Sequence, residues 1–144
     1  MLNRIERLVN PPLSRIEIGR RRQAAKVLAE GVGREIDHIR QILLFGSLAK
    51  GKGRYNSDVD LLVISDDIET LFRGRNKIYA ELCEVLGRNR RTLDLDPGLE
   101  FQLQLVLDQF LERNYHISAE GFKVFMSFYN SYMDGAVLLY ERPE

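Results

Sequence analysis

Asp58 and Asp60 are the residues of this sequence whose types and spacing most plainly suit chemistry. They open the run Asp58-Val59-Asp60-Leu61-Leu62-Val63-Ile64, whose length and β-branched content predict a strand. Residues two apart on a strand project from one face, which sets the two carboxylates side by side, about 7 Å between their Cα atoms. Val59 and Leu61 face the other way. Two carboxylates on one face repel, and burying them is costly unless a cation neutralises them. Oxygen donors of this kind favour Mg²⁺, with Mn²⁺ as its substitute. Taken alone, the pair reads equally well as a loop terminus and a solvated edge residue. Gly46-Ser47 changes that balance. It closes the apolar run of Ile39, Ile42, Leu43, Leu44 and Phe45, which predicts a buried strand. Glycine at a strand end lets a ligand approach the backbone, and the serine hydroxyl with neighbouring amides can hold a phosphate. Ten residues separate Ser47 from Asp58. That is enough for a short excursion and a return on the neighbouring strand, so phosphate cradle and carboxylates meet at one end of a sheet.

The elements that must position these groups can be read from patterning. Pro11-Pro12 sets off a lead-in, and Ser14-Arg15-Ile16-Glu17 has capping-box spacing, with Glu17 reaching back to the amide of residue 14. A helix is predicted from there to about Glu30, ended by left-handed conformers at Gly31 and Gly33. Its Arg20-Arg21-Arg22 run is expected on a solvated face. After the strand that ends at Ile64, Asp66 and Asp67 are candidate caps of a helix through about Leu86. Its stripe is Leu71, Ile78, Leu82, Val85 and Leu86, with Cys83 as a small core residue. Arg91 to Leu95 predicts a third strand, preceded by Arg88, Arg90 and Arg91 in a solvated loop. Asp96-Pro97 then reads as a cap and first helical position. Leu103, Val106, Leu107, Phe110 and Leu111 repeat at helical spacing. Ser118 caps a last helix carrying Phe122, Phe125, Met126, Tyr129 and Met133, expected to be core or a partner interface. Gly135 ends it, and Ala136 to Tyr140 forms a closing strand. The sum is one α+β (mixed α/β) domain, a small mixed sheet flanked by helices. Its parts would be a lead-in over 1–13, a catalytic core over 14–96 and a helical C-terminal part with the closing strand over 97–144.

Composition narrows the function classes. The 144 residues carry 21 basic and 21 acidic side chains, a formal net charge of zero, which argues against a dedicated electrostatic binder of nucleic acid or anionic membrane. Cys83 is the single cysteine, which excludes an internal disulfide and a cysteine zinc site. No run approaches the roughly 20 apolar residues of a membrane span, and no signal-peptide core opens the sequence, so a cytoplasmic protein is expected. His38 and His116 have no serine or second histidine at triad or metal spacing and read as structural or solvated. Gly46 to Lys52 matches most of a phosphate-binding P-loop, but Gly53 stands where Ser or Thr must hold magnesium, and no helix start follows.

Gly46-Ser47, ten residues, then Asp58-x-Asp60 resembles the signature of the DNA polymerase β-like nucleotidyltransferase superfamily. Within it, Leu44-Phe45-Gly46-Ser47-Leu48-Ala49-Lys50-Gly51 looks like the minimal nucleotidyltransferases. Asp134 to Glu141 is loosely similar to that family's closing turn and strand. The resemblance implies transfer of a nucleoside monophosphate, AMP foremost, from ATP or another NTP to an acceptor hydroxyl, with release of pyrophosphate. It implies two Mg²⁺ ions held by three carboxylates. Asp58 and Asp60 map onto the first two. Asp94 is the expected third, with Asp96 and Glu100 as alternatives. Gly46 and Ser47 map onto the triphosphate turn, with Lys50 and Ser57 as further phosphate contacts. The family's habit of acting as the antitoxin half of a pair with a helical HEPN-type toxin implies such a protein as acceptor. A non-catalytic partner-binding module is the alternative. Base selectivity and oligomeric state are left open.

Overall fold

A computed structural model describes residues 10–66, 75–93, 99–107, 127, 130–131 and 133–144. The order of elements is α1 (Arg15–Glu35), β1 (Ile39–Phe45), α2 (Gly46–Ala49), β2 (Val59–Ser65), α3 (Arg75–Thr92), β3 (Phe101–Leu107) and β4 (Val137–Glu141). The four strands form one sheet in the order β3-β2-β1-β4. β1 runs antiparallel to β2 and to β4, whereas β2 and β3 are parallel. The architecture is the expected α+β domain with a small mixed sheet.

The main core lies on the sheet face covered by α1 and α3. Ala25, Leu28, Ala29 and Val32 of α1 and Leu82 and Val85 of α3 meet Ile42, Leu44, Val59, Leu61, Val63, Leu103 and Leu139 there. Strand alternation sends Leu43, Leu62 and Ile64 to the opposite face, where Phe45, Met133 and Ala136 pack against them. Asp60 continues the row of Leu62 and Ile64. The carboxylate therefore stands on the face that α1 and α3 do not occupy, with its apolar neighbours Val59 and Leu61 turned into the main core as expected.

Several local expectations are corrected. α1 does not stop near Glu30. Gly31 and Gly33 lie inside it, and Ile36 caps it by donating to Val32 O. The two glycines serve close packing instead of termination. A methyl group at Gly31 would overlap the Asn89 side chain of α3, and one at Gly33 would overlap the Tyr140 ring of β4. Ser14 Oγ accepts from Glu17 N at 3.1 Å as predicted, but the Glu17 carboxylate turns forward to Arg21 at 3.4 Å. Cys83 is exposed on α3. Arg88, Arg90 and Arg91 are not in a loop but in the last turns of α3. There Arg88 pairs with Glu35, and Arg90 lies 5.4 Å from the Phe101 ring centroid. Asp66 pairs with Arg142 at 2.6 Å.

The third strand is the largest correction. Arg91 and Thr92 complete α3, and β3 occupies Phe101–Leu107, where helical spacing was expected. Leu103, Val106 and Leu107 satisfy a helical period, but Phe101, Leu103, Leu105 and Leu107 also alternate with Gln102, Gln104 and Val106. Seven residues pair in unbroken parallel register with β2, from Val59↔Phe101 to Ser65↔Leu107, and that non-local pairing decides the conformation. Parallel neighbours need a long crossover, which α3 supplies. Asp67, Leu71, Asp94, Asp96, Pro97, Phe110, Leu111, His116, Ser118, Phe122, Phe125, Met126 and Tyr129 lie outside the described residues. Of the last predicted helix, residues 127, 130, 131 and 133 are helical, and Gly135 follows at φ 72°. The closing strand forms as β4.

Candidate active site

The site is built where β1 ends and β2 begins. Phe45 pairs with Asp60 across the antiparallel ladder, so the chain leaving β1 must turn at once beside that aspartate. Gly46 makes the turn at φ 76°, a left-handed conformation that disfavours any side chain. It also fits for a second reason. A methyl group on Gly46 would overlap Asp60 Oδ2 and stand 3.3 Å from its Cγ. The carboxylate thus lies directly against the Gly46 backbone, and only glycine leaves it that place.

Asp58 and Asp60 are half-buried. Burial pushes the Asp60 carboxyl above the usual carboxylate range, and the negative charge of Asp58 pushes it further the same way. Such a pair is poised for a cation, because a divalent ion would relieve both effects at once. The donor chemistry, two carboxylates with a serine hydroxyl in the adjoining turn, suits Mg²⁺ or Mn²⁺. Among the described residues no group of three or more His, Cys, Asp or Glu gathers to hold a metal.

α2 carries Ser47 on an exposed turn, and the loop beyond folds back on it, with Lys52 N donating to Ser47 O at 2.9 Å. Gly53 brings Ser57 close to Ser47. A methyl group there would sit 3.5 Å from Ser47 Oγ and 3.7 Å from Ser57 Oγ. Ser57 Oγ accepts from Arg54 N at 2.9 Å, closing the turn that leads into Asp58. Lys50 reaches the other way, to Asp134 at 3.2 Å, and Gly135 lies against its stem. Gly46 and Asp60 therefore touch and the hydroxyls of Ser47 and Ser57 both flank Gly53, whereas the Lys50 ammonium is held toward the turn before β4.

Among the candidates for a third carboxylate, Asp94 and Asp96 lie outside the described residues. Glu100 stands one step before Phe101, across from Asp58, with its carbonyl accepting from Val59 N at 2.8 Å. On β3 the residue in register with Asp60 is Gln102, an amide, and Gln104 follows across from Leu62. The strict alternation of Gln102 and Gln104 with leucines was the signal in the sequence that could have placed them there. His38 is remote from this end. Its Nδ1 and Ser65 Oγ share a 2.8 Å hydrogen bond at the far end of β1 and β2.

The arginine run was expected on a solvated face, and this too is corrected. Arg21 is 8% exposed, and its guanidinium donates to the carbonyls of Arg54 (3.4 Å), Tyr55 (2.9 Å) and Ser57 (3.4 Å). Arg22 donates to Leu48 O at 3.1 Å and to Ala49 O, the last carbonyls of α2. Arg20 remains exposed. A charge run gives no local sign of these contacts, because their acceptors lie 26 to 36 residues away.

The chain thus sets a glycine-serine bend against Asp60 in a strand-turn-strand unit, the arrangement expected from its resemblance to nucleotidyltransferases. The polymerase β nucleotidyltransferase family model matches residues 30–117, more than half of the sequence, and the chain belongs to that family. Among solved structures it is similar to a Sulfolobus solfataricus protein described as a nucleotidyltransferase, at 18% identity and a TM-score of 0.47, covering 90% of this chain and 89% of that one. No curated protein matches it significantly. Among the described residues no helix is long and apolar enough to cross a membrane.

Proposed function

We propose that this chain transfers AMP from Mg²⁺-bound ATP to an acceptor hydroxyl, and that the acceptor is carried by a HEPN-type protein partner, which would make it an antitoxin. The observation that carries the reading is the Asp60 carboxylate seated against the left-handed Gly46, one residue from Ser47 and beside Asp58. In this reading Asp58 and Asp60 hold the metal. When bound, the metal supplies charge for the α-phosphate and the leaving pyrophosphate and lowers the acceptor hydroxyl's pKa. The exposed Ser47 and the neighbouring Ser57 bind phosphate oxygens through hydroxyls and backbone amides. Lys50 joins them only after leaving Asp134. Asp94, with Asp96 or Glu100 across from Asp58 as alternatives, completes the carboxylate set.

A second reading has its own support. Gln102, an amide, stands in register with Asp60 on the adjacent strand. A site with two carboxylates would bind a metal-nucleotide and turn it over slowly, which suits a partner-binding module. One experiment separates the two. The protein is incubated with α-labelled ATP, Mg²⁺ and a HEPN-type candidate partner. Transfer of label that disappears in Asp58→Ala supports the transferase. Tight complex formation without label, unaltered by Asp58→Ala, supports the module.

A further inference from the structure

Three backbone carbonyls within four residues, those of Arg54, Tyr55 and Ser57, converge on the side chain of Arg21. The guanidinium makes a fourth contact through Nε to Glu17 Oε1 at 3.4 Å, one helical turn back, and its carbon lies 5.5 Å from the Tyr55 ring centroid. Backbone carbonyls turned inward need donors, and a turn this short cannot supply enough of its own. A guanidinium offers five N–H groups in a planar fork, which can serve several carbonyls of one turn together. Glu17 stands N-terminal to Arg21 at the favourable i,i+4 spacing and fixes the fork's orientation.

The acceptors are not arbitrary. Ser57 O is the last carbonyl before Asp58, and Ser57 Oγ holds the same turn closed through Arg54 N. One residue along α1, Arg22 grips the carbonyls of Leu48 and Ala49, at the other end of the same excursion. The lead-in strengthens the arrangement, with Leu13 N donating to Gly53 O at 2.9 Å and Arg54 Nη1 donating to Asn10 O at 2.9 Å. α1 is itself locked to the sheet by its buried face.

We infer that Arg21 is a positioning residue of the nucleotide site, holding the turn over residues 54–57 so that Ser57 and Asp58 are presented beside Ser47 and Asp60. The functional half of this statement rests on the proposed function above; the structural half does not. The contacts of the Arg21 guanidinium are to the turn's carbonyls and to Glu17, so it acts through the turn.

The test uses the full chain with Arg21→Ala, Arg21→Lys and, as a control for lost charge on the same helical turn, Arg20→Ala. Hydrogen exchange at the amides of Lys52, Arg54 and Ser57 reads the turn directly and needs no nucleotide. Exchange there is expected to speed up at least tenfold in Arg21→Ala, while amides in the middle of α1 and β1 stay within twofold. Arg21→Lys, which keeps the charge but loses the fork, is expected to recover less than half of that protection. In the transfer assay kcat/KM for ATP is expected to fall at least tenfold, mostly through KM, and to rise again when guanidinium ion is added at millimolar concentration to Arg21→Ala. Arg20→Ala is expected to match wild type. Unchanged exchange in Arg21→Ala, or full protection and activity in Arg21→Lys, overturns the inference. If Arg21→Ala does not fold, Arg21→Lys decides alone. If wild type transfers no label, the proposed function has failed and the exchange experiment still decides whether Arg21 holds the turn.

Discussion

Gly46 and Gly51 form a natural experiment within one loop. Their φ values are 76° and 74°, so alanine at either position must adopt the same left-handed backbone. That strain is worth about 1–2 kcal/mol, offset by about 0.4–1 kcal/mol because alanine stiffens the unfolded chain. The surroundings differ completely. Nothing lies within 4 Å of a methyl group on Gly51, whereas one on Gly46 would overlap Asp60 Oδ2 and approach its Cβ to 3.5 Å. The Asp60 side chain ends in a freely turning carboxylate, so it would swing away and not resist, at a further cost of about 1 kcal/mol for a displaced rotamer. Gly51→Ala should therefore lose about 1 kcal/mol and Gly46→Ala about 2 kcal/mol. At about 3–4 °C per kcal/mol for a chain of this size, these appear as melting-temperature drops of about 3–4 °C and 6–8 °C. The larger difference is functional. If Asp58 and Asp60 hold the metal as proposed, a swung Asp60 would leave it, so Mn²⁺ affinity should fall at least tenfold in Gly46→Ala and stay within twofold of wild type in Gly51→Ala. Removing the obstacle closes the cycle, since in an Asp60→Ala background the extra loss of Gly46→Ala over Gly51→Ala should vanish. Melting curves and Mn²⁺ titration followed by electron paramagnetic resonance read all of these. Equal losses of stability and of Mn²⁺ affinity in the two variants would refute the contact between Gly46 and Asp60.

Other outcomes follow from the same geometry. Because burial and Asp58 raise the folded-state pKa of Asp60, the folded chain holds that proton more tightly than the unfolded chain. The ionised group therefore costs stability in full above its folded pKa, and the cost is relieved as pH falls through that value toward the unfolded one. Asp60→Asn should then melt higher than wild type at pH 7, with the advantage shrinking in mild acid, and should lose Mn²⁺ binding; a lower neutral-pH melting temperature would contradict the assigned cause. Protons should also compete with the metal at this carboxylate, so wild-type Mn²⁺ affinity should weaken as pH falls through the raised Asp60 value, measured by titration at successive pH values. Gly33→Ala forces a methyl group into the Tyr140 ring, a local overpacking worth about 1–3 kcal/mol. Gly19→Ala, in the same helix with nothing within 4 Å, should instead stabilise by up to about 1 kcal/mol, and thermal melts compare the two directly.

What could be read from the sequence was what local pattern determines. The apolar run before Gly46, the β-branched run after Asp58 and the ten-residue spacing placed β1, β2 and their shared turn, because each rests on neighbours a few residues apart. The missed features depend on distant partners. β3 is a strand because seven residues lie in register with β2, and its leucines fit a helical period as well as a strand period. Gly31 and Gly33 read as helix stops until α3 and β4 are seen packed against them. Arg21 and Arg22 read as solvent-facing charge because the carbonyls they hold come from a loop far along the chain. The third strand was expected over Arg91–Leu95, but Arg91 and Thr92 belong to α3, and the strand beside β2 starts at Phe101 and carries Gln102 in register with Asp60, while Asp94 lies outside the described residues.

The central claim is that Asp58 and Asp60 share a divalent cation beside the Gly46-Ser47 turn. It is tested most directly by a crystal structure with Mn²⁺ and a non-hydrolysable ATP analogue, its metal positions read from anomalous scattering. The account predicts an anomalous peak bridging the two carboxylates, with the analogue's phosphates on the amides and hydroxyl of Ser47. An analogue bound elsewhere, or Mn²⁺ seated away from both aspartates, would contradict it.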